Sequence, residues 1–145
     1  MVNTNYLKEI EHWVRDNCLA EQFLGKRFSK QTLKLRTGGS HEFDAVSQDN
    51  SIIAGIKTNS GKTSGGHPPS GKYFALYTEI YFLSLVQAQK RLLVLTNEDM
   101  YKAFQNHSRG KIAEGIEIVF CRLPQHINER VANIQAEASR EQSKK

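Results

Sequence analysis

Residues 42–57, EFDAVSQDNSIIAGIK, constrain this chain more than any other stretch. Two strand-forming runs meet at Asp49-Asn50, and both residue types tolerate the positive φ of a tight hairpin turn. A two-residue loop there pairs Ser47 with Ile52, Ala45 with Ala54, Asp44 with Gly55, Phe43 with Ile56, and Glu42 with Lys57. Side chains alternate across a sheet with period two, so this register sorts the hairpin into two faces. One carries Phe43, Ala45, Ile52, Ala54 and Ile56 and is expected to face the core. The other carries Glu42, Asp44, Val46, Ile53, Gly55 and Lys57. A carboxylate and an ammonium then share a face, beside a glycine that leaves open space. A slip of one residue would send the polar groups of the two strands to opposite faces.

The flanking sequence supplies the rest of an α/β domain. Residues 4–17 predict a first helix, with Tyr6, Ile10, Val14 and Asn17 on one stripe and Asn3 or Thr4 as its cap. KQTLKLR, residues 30–36, alternates polar and apolar and predicts a strand that completes a three-stranded meander. The segment 58–71 is rich in glycine and serine, holds adjacent prolines, and predicts a mobile loop. Residues 72–88 are apolar nearly all round and predict a buried helix, with Glu79 in the middle of an apolar face. RLLVLTN predicts a buried strand, NEDMYKAFQNH a helix capped by Asn97, and IEIVFCRL a strand ended by Pro124. A last helix over 125–141 has Ile127, Val131, Ile134 and Ala138 on one stripe, and residues 140–145 are expected to fray. At 145 residues the expectation is one domain, with a central mixed sheet of the meander plus two further strands, flanked by helices.

This order resembles the core of the PD-(D/E)xK nuclease superfamily, the restriction-endonuclease-like fold, from about residue 4 to residue 123. The shared motif is an acid late in the second strand, followed by acid-x-lysine on the third. Asp44 in EFDAV matches the first acid and Lys57 in AGIKT matches the lysine, while Gly55 stands where the second acid belongs. The resemblance implies cleavage of DNA phosphodiester bonds with Mg²⁺ or Mn²⁺ as cofactor. It implies Asp44 as metal ligand, Lys57 as the cation that orients water or stabilises the phosphorane, and the Ile56 backbone carbonyl in the metal shell. Some members supply the second carboxylate from the helix after the third strand, which points to Glu79. Such chemistry needs these residue types: a hard cation takes oxygen ligands, and a neighbouring ammonium stabilises developing charge.

Other residues are weighed beside these. Glu42 shares the expected face of Asp44 but lies opposite Lys57, where a cross-strand pair is its plainer role. Glu9 faces solvent on the first helix, and a reach to the site is its second role. Lys62, His67 and Lys72 could contact phosphate or simply solubilise the loop, and Gln31, Lys34 and Arg36 on the first strand stand equally open. Loss of the second acid leaves a second reading: a nuclease-fold module that binds nucleic acid or a protein partner without cutting, or a structural subunit of a larger nuclease assembly. The tyrosine-rich back of the 72–88 helix is a candidate homodimer face.

Several classes are set aside. SGKTSGG lacks the glycine a nucleotide-binding loop needs at position 56, and SGGHPPSG cannot start the helix that must follow, so no nucleotide cofactor is expected. The histidines show no metal-ligand spacing and no serine sits in a nucleophile elbow. No apolar run reaches the length of a membrane span, and the first residues lack the apolar segment of a secretory signal. Cys18 and Cys121 are far apart in sequence, which suggests reduced thiols and a cytoplasmic protein. The net charge of +5 permits an anionic partner such as DNA.

Overall fold

The structure is a computed structural model and describes residues 5–58 and 70–143. Five strands form one sheet in the order β1-β2-β3-β4-β5: β1 (Phe28–Lys34), β2 (Ser40–Ser47), β3 (Ile52–Lys57), β4 (Lys90–Leu95) and β5 (Ile116–Phe120). β1, β2 and β3 run antiparallel, and β3, β4 and β5 run parallel. The sheet is therefore mixed, as the sequence predicts.

Helices cover both faces. α3 (Ser70–Leu83) and α4 (Glu98–His107) are the crossovers between the parallel strands. Their Leu76, Ile80, Leu83, Met100 and Phe104 pack in one layer with Phe43, Val46, Ile53, Leu93 and Leu95. α1 (Asn5–Trp13) and α5 (Gln125–Ser143) cover the opposite face. Tyr6, Ile10, Val14, Ile127 and Val131 pack there against Ala45, Ile52, Ala54, Ile56, Leu92 and Val94. β3 and β4 are buried on both sides, which explains their unbroken apolar runs.

Several boundaries differ from the sequence expectation, each for a local reason. The first helix continues past Trp13 as a π-helical segment, Val14–Leu19, and a short α2 (Ala20–Gln22). A π turn advances the ladder by five residues, so the buried residue after Val14 is Leu19. Asn17 leaves the stripe, and its side chain donates to the Trp13 carbonyl at 3.1 Å. The caps expected at Asn3 or Thr4 lie outside the described residues. α3 begins at Ser70, inside the expected loop, and stops at Leu83. Arginines take the carbonyls at and just beyond its end: Arg91 donates to Leu83 and Val86, and Arg36 to Ser84. α4 starts as expected, with the Asn97 side chain accepting the Met100 N–H at 2.9 Å. α5 runs on to Ser143, into the segment expected to fray.

The hairpin register holds next to the turn, with Ala45 opposite Ala54 and Val46 opposite Ile53, but the ladder does not extend to the expected pairs of Asp44 with Gly55, Phe43 with Ile56 and Glu42 with Lys57. The loop is longer than two residues. Only Asn50 has positive φ, and the Asn50 N–H reaches back to the Ser47 carbonyl at 2.9 Å. Asp49 organises the turn by accepting from the Ser47 and Ser51 hydroxyls and the Ser51 N–H, and it pairs with Lys26. Those donors hold its carboxyl well below the usual carboxylate range.

Cys18 and Cys121, distant in sequence, are neighbours in the structure between the π segment and the end of β5, and both are free thiols. The neighbouring Cys18 thiol, and then burial, push the Cys121 thiol upward. Among the described residues no helix is long and apolar enough to cross a membrane.

Candidate functional site

A bulge in β2 decides which side chains reach the site. β1 pairs Ser29 with Val46 but Gln31 with Phe43, so Lys30 alone faces both Asp44 and Ala45. Two residues opposing one is the signature of a β-bulge, and it reverses the side-chain parity of the strand beyond it. Phe43 consequently joins Val46 in the layer under α3, while Ala45 faces the α1 side. The strict alternation expected across 42–46 is thereby corrected. Phe43 leaves the predicted core face, and the face expected to be polar is itself a core around Val46 and Ile53.

The same reversal exchanges Glu42 for His41. Glu42 turns to the α1 face, where Lys30 lies 3.8 Å away and also pairs with Glu11 at 3.2 Å. It does not face Lys57. His41 takes the α3 side instead. Its ring stacks on Phe82, with centroids 3.9 Å apart and planes within 8°, and meets Phe43 edge-on. The sequence reading missed His41. The one signal for it was the apolar neighbours Ala45 and Val46, which break period two where the bulge lies.

Glu79 is the centre of the cluster. It is 5% exposed, on the sheet-facing side of α3. Its carboxylate lies directly over Gly55. A Cβ built on Gly55 would stand 2.5 Å from Glu79 Cγ and Oε1, and 2.8 Å from Cδ. The open space that the sequence assigns to Gly55 is thus filled by Glu79. Oε2 lies 3.3 Å from His41 Nε2 and 3.8 Å from Lys57 Nζ. Among the described residues, Oε1 is buried without a hydrogen-bond partner. Burial pushes the Glu79 carboxyl above its usual range; Lys57 and His41 pull it back, and the nearby Asp44 charge adds to the upward push.

Asp44 sits in the bulge. In an unbroken ladder the Ile56 N–H would face Phe43; here Asp44 Oδ2 accepts it at 2.7 Å. Arg15 donates to the Asp44 main-chain carbonyl at 2.9 Å, tying the bulge to the π segment. A strand residue presents its N–H and C=O to the same neighbour, so the Ile56 carbonyl faces β2 as well.

The structure therefore brings Lys57 and Glu79 together over Gly55, with Asp44 on the neighbouring strand near enough for its charge to act on Glu79. Lys72 stands on the first turn of α3, two turns before Glu79 and on the same helix side. Lys62 and His67 lie outside the described residues. Glu9 is held by Arg130 at 2.7 Å, away from the cluster. Gln31 bonds Ser29, and Arg36 is occupied at the end of α3. On the back of α3, Phe74 and Tyr81 are exposed, while the Tyr77 hydroxyl meets His107 Nδ1 at 2.8 Å. Among the described residues, no three His, Cys, Asp or Glu side chains group closely enough to hold a metal by themselves. No protein-family model, curated protein or solved structure matches the chain.

Proposed function

We propose that this protein is a metal-dependent nuclease of the restriction-endonuclease-like class, acting on DNA phosphodiester bonds. The observation that carries the reading is the position of Glu79: its carboxylate occupies the volume that an acid at position 55 would fill. Gly55 and Glu79 then read as one substitution made in two places. In that reading the carboxylate comes from α3 instead of β3, and a glycine on the strand admits it.

The residues fit a hard divalent cation. Asp44 and Glu79 would hold it, with the Ile56 carbonyl beside them. Among the described residues the buried Oε1 of Glu79 has no donor, and a buried carboxylate oxygen requires one or a cation in its place. Two carboxylates plus water and substrate phosphate are a common Mg²⁺ set, since that ion keeps part of its hydration shell. When bound, the cation would polarise the scissile phosphate and acidify a water. The chain's own residues do the rest. Asp44, fixed by the Ile56 N–H, holds its second oxygen in place. Lys57, half-buried at the end of β3, places an ammonium where phosphate charge develops. Lys72 offers a further cation on α3, and Lys62 and His67 precede it in the sequence.

A second reading has its own observation. Lys57 and His41 already balance the Glu79 charge, as a cluster kept for structure alone would need. That suits a module that binds nucleic acid without cutting. Plasmid nicking in Mg²⁺ and in Mn²⁺ separates the two, with wild type beside Asp44→Ala, Lys57→Ala and Glu79→Gln. The nuclease reading expects cleavage by wild type and losses of about 10²-fold or more in each variant. Cleavage that survives Glu79→Gln removes that residue from the site. No cleavage of duplex, nicked or branched DNA by wild type, with salt-dependent binding retained, establishes the module.

A further inference from the structure

We propose that His41 is a positioning residue of this site: its Nε2–H holds Glu79 Oε2 and leaves Oε1 as the oxygen turned toward the cation. This rests on the nuclease reading and adds to it a residue outside the family motif.

The last torsion of a glutamate is broad and nearly two-fold, so packing alone does not decide which oxygen points where. Donors must decide it. Lys57 lies 3.8 Å from Oε2, beyond hydrogen-bond length, on a flexible four-carbon stem. It supplies charge but little direction. His41 is closer, at 3.3 Å, and its ring cannot wander. Phe82 lies flat against one face and Phe43 meets it edge-on. An ionised carboxylate only accepts, so the ring nitrogen facing it carries the hydrogen. Phe82 stands three residues after Glu79, so one turn of α3 presents both the carboxylate and the ring that pins its donor. The β2 bulge completes the arrangement, because without it Glu42, not His41, would point at α3.

The test uses the full chain and Mn²⁺ as the probe, with free ion followed by electron paramagnetic resonance. His41→Phe keeps the aromatic stack and removes the donor. His41→Gln keeps a donor and removes the ring. Partners that orient a metal ligand typically contribute about 10–100-fold in affinity, so His41→Phe is expected to weaken Mn²⁺ binding by that factor. The Mn²⁺ concentration needed for cleavage should rise in proportion, and His41→Gln should recover part of the loss. Unchanged Mn²⁺ affinity in His41→Phe overturns the proposal and leaves the nuclease reading standing. Equal losses in both variants also overturn it, since packing and not the donor would then be at work. Absence of Mn²⁺ binding by wild type removes the nuclease reading, and this proposal with it.

Discussion

Alanine at position 55 should be destabilising in this protein and harmless once Glu79 is trimmed. The new Cβ would stand 2.5 Å from Glu79 Cγ and Oε1. Carbon contacts are comfortable only at about 3.5–4.0 Å, so Glu79 must retreat by about 1 Å. It has little room, because its Oε2 is held by His41 and its stem lies between α3 and the sheet. Overpacking of this kind costs about 1–3 kcal/mol. Against it stands a gain of about 0.4–1 kcal/mol, because alanine restricts the unfolded chain more than glycine does. The net expectation for Gly55→Ala is a loss of about 1–2 kcal/mol, or a Tm lower by roughly 2–8 °C. In Glu79→Ala neither Cγ nor carboxylate remains, and the same substitution should become neutral or slightly stabilising. Urea unfolding of wild type, both single variants and the double variant gives the coupling, expected at about 1–3 kcal/mol. Equal effects of Gly55→Ala in both backgrounds, within about 0.5 kcal/mol, would refute the claim that Glu79 occupies this space.

Other outcomes follow from the same structure. Glu79 has its folded pKa raised above 4.5, so between 4.5 and the folded value the native state binds the proton that the unfolded chain has lost. Its contribution is present below pH 4.5 and is lost as pH rises through the folded pKa, so in EDTA Glu79→Gln should gain on wild type with rising pH. A difference independent of pH across that range would contradict the direction given for Glu79. Glu42→Gln should leave nicking and Mn²⁺ binding unchanged, because Glu42 faces Lys30 across the other side of the sheet; a loss like that of Asp44→Ala would refute the bulge. Asn97→Ala removes the cap of α4 and should cost about 0.5–2 kcal/mol in urea unfolding, with nicking intact at low temperature.

The strands and most helices were legible because their signals are local. The apolar runs of β3 and β4 and the Asn97 cap each depend on a few neighbouring residues, and each appears where the sequence puts it. The π segment was not legible, because it replaces one helical ladder by another without a change of composition. Nor was the early stop of α3, where Arg36 from the turn after β1 and Arg91 from the next strand, β4, take the carbonyls at and beyond its end.

The site divides along the same line. The sequence by itself determined that Asp44 and Lys57 lie on neighbouring strands beside Gly55, because hairpin register follows from turn chemistry and alternation. It also marked Glu79 as a carboxylate on an apolar helix face, a position that requires a partner. Only the tertiary structure decided who the partners are. Helix rotation against the sheet laid Glu79 over Gly55, and one extra residue in β2 exchanged Glu42 for His41. Neither is written in any short stretch of sequence, because a bulge and a helix rotation are fixed by how well both faces of the sheet bury their side chains together.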